Sequence, residues 1–308
     1  MIETLKHTEI YKSLNIMQNL KHAYLFFSLD KEINNNIAML FAKQLLCENQ
    51  SICGVCSACK QVDSLSHPDF YVLNQDTIKV EHVDILIRKL ATKPISASKK
   101  IFVILNAENI NEISQNKILK SLEEPNSDNI FILSSSRVDK LLPTILSRLH
   151  KITLPKLSLQ DKLTISTELL NQNINIQPYL NQNLSLTEII NLECNIDYKN
   201  SISAVKYVFE NLKSSKDIPI VVSSLPAHNK TLFLEIMQKL FLACINDEIV
   251  FDVGLCSMIK DSFSTKALIN CLPHIEKSYR MHCSNVVFSY ILDNLLFNIL
   301  KEKFLCKQ

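Results

Sequence analysis

The chain has 308 residues, of which 47% are hydrophobic and 21% charged, and its formal net charge is +2. That length predicts two or three domains, and no apolar run reaches the roughly 20 residues that a membrane span needs. The near-neutral charge argues against a dedicated nucleic-acid binder, which carries a strongly basic surface. The N-terminal residues are polar without a small-residue cleavage site, which predicts no signal peptide and a cytoplasmic protein.

Short runs with β character alternate with helical segments from about Lys21 to Leu154. The runs are, in order, AYLFF, DFYVL, KIFVIL, NIFILSS and HKITL. Such alternation predicts βαβ units with a parallel sheet. After Pro155 no further strand is predicted, so the fold class is α/β followed by an all-α part.

The first strand passes into a helix through the loop SLDKEINNN. The segment from His22 to Cys47 begins as a buried strand and continues as an amphipathic helix. In α/β proteins a glycine-rich loop at this place usually cradles a phosphate against the start of the helix. This loop has three asparagines and no glycine, which raises the question of what it does instead.

Four cysteines follow the first helix with the spacing C-x5-C-x2-C-x2-C, namely Cys47, Cys53, Cys56 and Cys59. This spacing predicts a structural Zn²⁺ site, closed to a catalytic water because all four ligands are sulfur. Gly54 allows a tight turn between ligands. Two alternatives stay open: a redox C-x2-C pair, and a core role for Cys47 that leaves three ligands. The remaining six cysteines are interpreted mostly as small buried apolar residues: Cys194, Cys244, Cys256, Cys271, Cys283 and Cys306.

A second group of motifs lies further along the α/β part. KKIFVILNAENINEISQNKILKSLEEP predicts a buried strand, a polar turn and a helix that Pro125 ends. NIFILSSSRVDKLLPTILSRLHKITL predicts a strand that ends in three serines, a loop, a short helix with Ser147 and Arg148, and a last strand.

The all-α part divides into two predicted domains, which gives boundaries of 1–155, 156–198 and 199–308. Ser158 is a predicted N-cap before LQDKLTISTELL, the first of a few short helices. Longer helical patterns follow, including AVKYVFENLKSS, NKTLFLEIMQKLFLACI and CSNVVFSYILDNLLFNILKEKFL. The last is apolar around most of its circumference, which fits either an ordinary buried helix or an intersubunit contact.

Five motifs in this order resemble the bacterial sliding-clamp loaders of the AAA+ class: HAYLFF, the cysteine quartet, HPDF at 67–70, KILKSLEEP and PTILSRL. The resemblance is dense over about the first 155 residues. It implies a RecA-like parallel-sheet domain with a zinc module at about 47–59, a small helical lid domain, and a C-terminal helical domain that joins a collar of five subunits.

Clamp loaders contain ATP-hydrolysing motor subunits (tau/gamma), whose Walker A loop reads G-x-x-G-x-G-K-[ST]. Aligned without a gap, this chain has Ser28, Lys31 and Ile33 at the three glycines. Asn34 takes the place of the lysine and Asn35 that of the hydroxyl residue. The β/γ-phosphates would therefore lose their charged partner, and magnesium would lose a ligand.

The Walker B position is degenerate as well. In the same alignment Leu105 and Asn106 replace the Asp-Glu pair, and neither can act as a base toward water. Asp30 and Glu32 add negative charge beside any incoming phosphate, whereas Glu108 is interpreted as a solvated turn residue. The resemblance therefore implies that ATP is neither bound nor hydrolysed by this chain, with a divergent active ATPase as the alternative.

Arg148 matches the arginine of the family's Ser-Arg-Cys motif, which reaches the ATP of a neighbouring subunit. Arginine suits this role because its permanent charge can fork onto phosphate oxygens. Ser147 completes the motif, and Leu149 replaces the cysteine and is expected to pack inward. There are two alternatives: Arg148 forms an ordinary surface ion pair, or Arg137 is the arginine that reaches the neighbour's ATP. The chain has four arginines among 33 basic residues: Arg88, Arg137, Arg148 and Arg280.

Together these features imply the non-hydrolysing stator type of clamp-loader subunit. Its partners would be tau/gamma and delta subunits and, through the complex, the beta sliding clamp and primed DNA. The absence of arginine between Arg148 and Arg280 agrees, because a lid arginine commonly senses bound nucleotide. A zinc-containing nucleic-acid-binding protein is a further alternative, and the near-neutral charge argues against it.

Overall fold

The computed structural model describes residues 3–14, 20–124, 128–182, 184–226 and 228–305. It divides into two compact units, the first formed by Met1–Ile176 with Ser185–Thr187 and the second by Gln177–Leu184 with Glu188–Gln308. Among the described residues no helix is long and apolar enough to cross a membrane. Two residues used in the sequence analysis, Pro125 and Cys306, lie outside the described ranges.

The first unit is built on a parallel sheet. Within the described part of the chain it has five strands in the order β2-β3-β4-β1-β5, and each coincides with a predicted run. β3 and β4 are buried at every position, which agrees with the apolar runs IFVI and IFIL at their centres. The strands are β1 (Ala23–Phe27), β2 (Phe70–Leu73), β3 (Lys100–Ile104), β4 (Asn129–Ser135) and β5 (His150–Thr153).

Helices connect these strands, and polar caps begin most of them. The first unit contains a 3-10 helix at Glu3–His7, and Ser158 caps the helix after the sheet, as predicted, in a reciprocal capping box with Asp161. The helices are α1 (Glu9–Ser13), α2 (Lys31–Leu46), α3 (Ser57–Asp63), α4 (Val80–Leu90), α5 (Glu112–Glu123), α6 (Pro143–Leu146) and α7 (Leu159–Asn171).

The strand register brings three loops to one edge of the sheet. Phe27 at the end of β1 lies opposite Ser135 on β4, and Ile104 at the end of β3 lies opposite Leu133. All these strands run in the same direction, so the loops after β1, β3 and β4 meet at their carboxyl ends. In open α/β sheets this is the edge where ligands bind.

The second unit is helical. Its core includes Phe233, Met237 and Phe241 of one helix and Leu295 and Ile299 of another, all 2% exposed or less. The helices that follow α7 are α8 (Leu186–Cys194), α9 (Ile196–Asn211), α10 (Ile218–Ser223), α11 (Lys230–Ile245), α12 (Val253–Ser262), α13 (Thr265–Cys283) and α14 (Phe288–Leu305).

The interpretation of CSNVVFSYILDNLLFNILKEKFL as one helical pattern is wrong at its start. Cys283 ends α13, the chain turns over 284–287, and α14 begins at Phe288. Asn285 has φ of 59°, a left-handed conformation that asparagine tolerates better than most residues and that a helix cannot continue through. Of the described scattered cysteines, three are buried as expected (Cys244, Cys256, Cys271), whereas Cys194 and Cys283 are exposed.

Candidate functional site

The loop after β1 ends in Asp30, whose carboxylate occupies the start of α2. As N-cap residue, Asp30 accepts hydrogen bonds through Oδ1 from the N–H groups of Glu32 (3.2 Å) and Ile33 (3.4 Å). It also accepts from the N–H and Oγ1 of Thr187 at 3.2 and 2.7 Å, and through Oδ2 from the N–H of Leu186. The helix terminus where a phosphate would bind is therefore already bonded to a carboxyl group of the chain itself.

Burial disfavours the charged form of both acidic residues at this helix start. It raises the pKa of Asp30, although the hydrogen bonds from Thr187, Leu186 and Ile33 oppose the shift. Burial also raises the pKa of Glu32, with the negative charge of Asp30 as the next contribution. A phosphate placed here would meet two carboxyl groups instead of a lysine.

Asn34, at the position of the Walker lysine, is bonded inside the fold. Its side chain is 1% exposed. Its Nδ2 donates to the carbonyls of Ser28 (2.9 Å) and Ser135 (2.8 Å), and its Oδ1 accepts from Ser28 Oγ at 2.8 Å. A short neutral amide thus joins the loop after β1 to the end of β4, where an active ATPase would project a charged amine.

Asn35 and Asn106 bond to each other across the same edge. Asn35 Nδ2 donates to Asn106 Oδ1 at 3.1 Å, and Ser134 Oγ donates to Asn35 Oδ1 at 2.6 Å. Ser134 Oγ also accepts from the N–H of Asn106 at 3.1 Å, and Asn106 Nδ2 donates to Asn74 Oδ1 at the same distance. Asn106 has φ of 54°, the left-handed region in which asparagine is enriched.

The other residues at the predicted nucleotide motifs differ in burial. Ile33 and Leu105 are buried at 1% and 7% exposure, and Lys31 is exposed. Glu108 is not the solvated residue that was expected: its Oε1 accepts from the N–H and Oγ of Ser136, and its Oε2 is buried.

Sequence reasoning missed the partners of this network. The hydrogen bonds that join Ser134, Ser135 and Thr187 to Asn35, Asn34 and Asp30 span about 100 to 157 positions in the sequence. No local sequence pattern can therefore predict them. The three serines after NIFIL were the available signal, because hydroxyl groups at the carboxyl end of a buried strand need partners.

The four cysteines of the quartet converge as predicted. Their Sγ atoms all lie within 4.8 Å of one another, with 3.7 Å between Cys47 and Cys53 and 4.0 Å between Cys53 and Cys59. A tetrahedral zinc ion with bonds of about 2.3 Å needs sulfurs about 3.8 Å apart. The donor set therefore fits a four-coordinate metal ion, and the position of Cys47 in the cluster argues against a three-ligand loop.

Local backbone geometry builds this cluster. Gly54 has φ of 74°, as the predicted tight turn requires. The N–H of Cys56 donates to Cys53 Sγ, and the N–H of Cys59 donates to Cys56 Sγ, both at 3.4 Å. These bonds favour sulfurs that carry negative charge, the form in which cysteine binds metal.

A buried lysine fastens the cysteine module to the sheet domain. Lys43 of α2 is fully buried and forms ion pairs with Glu3 and, at 2.7 Å, with Asp63 of α3. Burial alone would lower its pKa, but the hydrogen bonds to Asp63 and Glu3 outweigh burial and raise it. Lys6 Nζ also donates to the carbonyl of Ile52 inside the cysteine loop at 3.1 Å.

Arg148 lies between α6 and β5 with its side chain 32% exposed. Nη2 donates to Glu123 Oε1 at 2.6 Å, and Nη1 donates to the carbonyl of Thr144 and, at 3.2 Å, to Ser147 Oγ. Leu149 is 7% exposed and packs in the core beside the sheet, as expected. The inward side chain of Leu149 leaves its neighbour Arg148 at the surface.

Arg137 differs from Arg148 in exposure and in its partner. Its side chain is 58% exposed and pairs with Asp139, two residues further along the chain, at 3.1 Å. The hydrogen bond from Arg137 lowers the pKa of Asp139. Such a local, exposed pair orients its guanidinium weakly.

Asp69 of the HPDF motif has a structural role that the sequence did not reveal. It is fully buried, and its carboxylate accepts from the N–H groups of Ile95, Ser96 and Ala97 at 2.7 to 2.8 Å. Burial raises its pKa, but these hydrogen bonds outweigh burial and hold the pKa below the usual value. Asp69 thereby fixes the loop before β3.

Comparisons with known proteins agree with this architecture. The family described as "DNA polymerase III, delta subunit" matches residues 6–158. A Bacillus subtilis protein named DNA polymerase III subunit delta' is 30% identical over 216 residues, which are 67% of this chain and 64% of that protein. Its Pseudomonas aeruginosa namesake is 34% identical over 134 residues, 41% of each chain. A Haemophilus influenzae tau/gamma subunit is 34% identical over 133 residues, 42% of this chain and 19% of that protein.

The parallel five-stranded sheet and the cysteine cluster form an α/β unit, and the family matches support the AAA+ class. This chain belongs to the family of bacterial DNA polymerase III clamp-loader subunits, and its matches support the delta-prime type within that family. The matched regions span 64% and 41% of the two delta' relatives.

Proposed function

We propose that this chain is the non-hydrolysing stator, or delta-prime, subunit of a clamp loader. It binds no ATP and supplies Arg148 in trans to the ATP site of a neighbouring tau/gamma subunit. On its other side it faces a delta subunit, and the complex loads the beta sliding clamp on primed DNA. The three domains that the sequence predicts, 1–155, 156–198 and 199–308, would act as stator body, lid and collar segment.

The observation that carries this proposal is the closed polar network at the carboxyl edge of the sheet. A nucleotide would need the N–H groups at the start of α2, a lysine for the β/γ-phosphates and a carboxylate pair for magnesium. Here Asp30 accepts from those N–H groups, and Asn34 is bonded to Ser28 and Ser135. Binding would require breaking these bonds without a cation to compensate the phosphate charge.

The role of Arg148 rests on its chemistry and its position. Its guanidinium is permanently charged, its side chain is partly exposed, and it is oriented by oxygens from two segments of the chain. A residue that acts on a neighbour's ATP needs these properties and no nucleotide site of its own. Arg137 pairs instead with Asp139, two residues further along the chain.

The cysteine cluster is proposed to hold one structural Zn²⁺ through Cys47, Cys53, Cys56 and Cys59. When bound, the ion would cross-link the loop after α2 to α3 through four thiolates. Sulfur would then occupy all four coordination sites of the ion, which leaves no open site for a reacting group. The module contributes stability, and the ion pair between Lys43 and Asp63 links it to α2.

The test combines the isolated chain with a reconstituted complex. Titration of the purified chain with magnesium-ATP should give no saturable heat up to millimolar ligand. In a complex with the tau/gamma and delta subunits of the same organism, Arg148→Ala should abolish the ATP turnover contributed by the adjoining motor site, because a trans arginine is worth roughly 10³- to 10⁵-fold at its own site. Arg137→Ala is the matched control and should behave as wild type.

Three results would contradict the proposal. Saturable micromolar binding of magnesium-ATP would show that the loop after β1 forms a phosphate site and would favour a divergent motor ATPase. A complex with Arg148→Ala that assembles and hydrolyses ATP like the wild type would remove the trans role. A salt-dependent shift of DNA by the isolated chain would favour a nucleic-acid-binding protein instead.

A further inference from the structure

Three oxygen atoms hold the guanidinium of Arg148. Two come from the same turn of the chain: the carbonyl of Thr144 and Oγ of Ser147, which itself donates to that carbonyl at 3.0 Å. The third, Oε1 of Glu123 at 2.6 Å, lies 25 residues earlier in the sequence. Glu123 therefore connects the arginine to a different part of the fold.

That part of the fold is anchored in the core. Glu123 is the last residue of α5, and its neighbours Ile118 and Leu122 on the same helix are 1% and 2% exposed in the core beside the sheet. The helix anchors the backbone that carries the carboxylate, although the side chain of Glu123 is 46% exposed. The position of the sheet domain therefore sets the direction of the arginine side chain, in addition to the short loop that carries the arginine.

The contacts leave part of the guanidinium available. Arginine has five N–H donors, and the three contacts with described residues use two on Nη1 and one on Nη2. The donors that these contacts do not use, one on Nε and one on Nη2, can donate to phosphate oxygens. A phosphate can therefore be bound without displacing Glu123.

We infer that Glu123 is a positioning residue for Arg148, which holds the guanidinium in its reactive direction before a neighbouring ATP site closes on it. The inference rests on the proposed function, because it concerns the same arginine. A free arginine side chain samples many rotamers. Interactions that orient a group before the reaction lower the barrier, because they need not form during it.

A competing role for Glu123 predicts the opposite effect on the reaction rate. If Glu123 acted as a brake, it would neutralise Arg148 and compete with the incoming phosphate, so its removal would speed the reaction. If it positions the arginine, its removal slows the reaction although it never contacts ATP. The carboxylate neighbour Glu124, which is also exposed and ends the same helix as its C-cap, provides a matched control.

The experiment measures ATP-dependent clamp loading on primed DNA by the reconstituted complex. Glu123→Ala should lower the maximal rate roughly 10- to 100-fold, the size of a small misplacement of a reacting group, with little change in KM for ATP. Glu123→Gln keeps an acceptor oxygen and should recover most of the rate. Glu123→Lys, which repels Arg148, should be at least as slow as Glu123→Ala, and Glu124→Ala should match the wild type.

Further measurements separate positioning from folding and from the proposed function. The melting temperatures of the Glu123 variants should equal that of Glu124→Ala, and Glu123→Ala should have no further effect in an Arg148→Ala background. A wild-type or faster rate with Glu123→Ala, or a Glu123→Gln variant as slow as Glu123→Ala, overturns the inference. If Arg148→Ala itself has no effect, the proposed function fails instead.

Discussion

Replacement of Asp30 by alanine tests the hydrogen-bond network at the start of α2. The change removes one carboxylate that accepts from Glu32, Ile33, Leu186 and Thr187. Loss of an N-cap acceptor costs about 1 kcal/mol, and a buried N–H left without a partner, here that of Leu186, costs about 1–3 kcal/mol more. Relief from burying a charge offsets part of this, so the expected loss of unfolding free energy is about 2–3 kcal/mol.

The pH dependence of this loss has a definite sign. Burial raises the pKa of Asp30 above its ordinary value of 3.8, so the folded chain binds a proton more tightly than the unfolded chain. The stability that Asp30 contributes is then fully present below the ordinary pKa and declines as pH rises through the raised value. The difference between wild type and Asp30→Ala should be largest near pH 4 and should narrow toward neutrality.

Two measurements check the reasoning. Urea unfolding at several pH values gives the free-energy difference, and hydrogen exchange reports locally on the amides of Leu186 and Thr187, whose protection should fall roughly 30- to 150-fold for 2–3 kcal/mol. Asp76→Ala, at an exposed carboxylate of the same unit, should stay within about 0.5 kcal/mol of the wild type. Unchanged protection at both amides, or a difference that widens with rising pH, would refute the account.

Two further predictions concern the cysteine module. In Cys53→Ser, elemental analysis should find far less than the one zinc ion per chain expected of the wild type, because a tetrahedral site loses a thiolate. Cys194→Ser changes an exposed cysteine outside the cluster and should keep the ion. Equal zinc in both variants would contradict the site. Lys43→Met should cost about 1–2 kcal/mol of unfolding free energy in urea, less than a fully buried pair, because the partners Glu3 and Asp63 keep 39% and 41% of their side-chain surface exposed and regain water. A loss above about 4 kcal/mol would show that this estimate of rehydration is wrong.

Local pattern was enough for much of the first unit. The five strands were predictable because each is a short apolar run bounded by polar residues, and the cap at Ser158 because a hydroxyl and an acidic residue stand three positions apart. The cysteine cluster was predictable because its ligands lie within 13 residues of one another. Periodicity failed at the start of α14, because the apolar pattern continues through a turn that depends on the conformation of Asn285.

The sequence also determined that the residues aligned with the nucleotide motifs include no Walker lysine and no Asp-Glu pair, which needs no structure to be noticed. Only the tertiary structure decided what replaces them. Asp30 meets Leu186 and Thr187, Asn34 meets Ser135, and these partners lie about 100 to 157 positions apart.

The pairing of Glu123 with Arg148 across 25 residues is of the same kind. These contacts form because parallel strands bring the loops at their carboxyl ends to one edge, and because helices dock beside that edge. Side chains distant in sequence become neighbours there, and buried polar groups must find hydrogen-bond partners among them. Composition and spacing describe each segment separately, whereas the sheet register determines which segments meet.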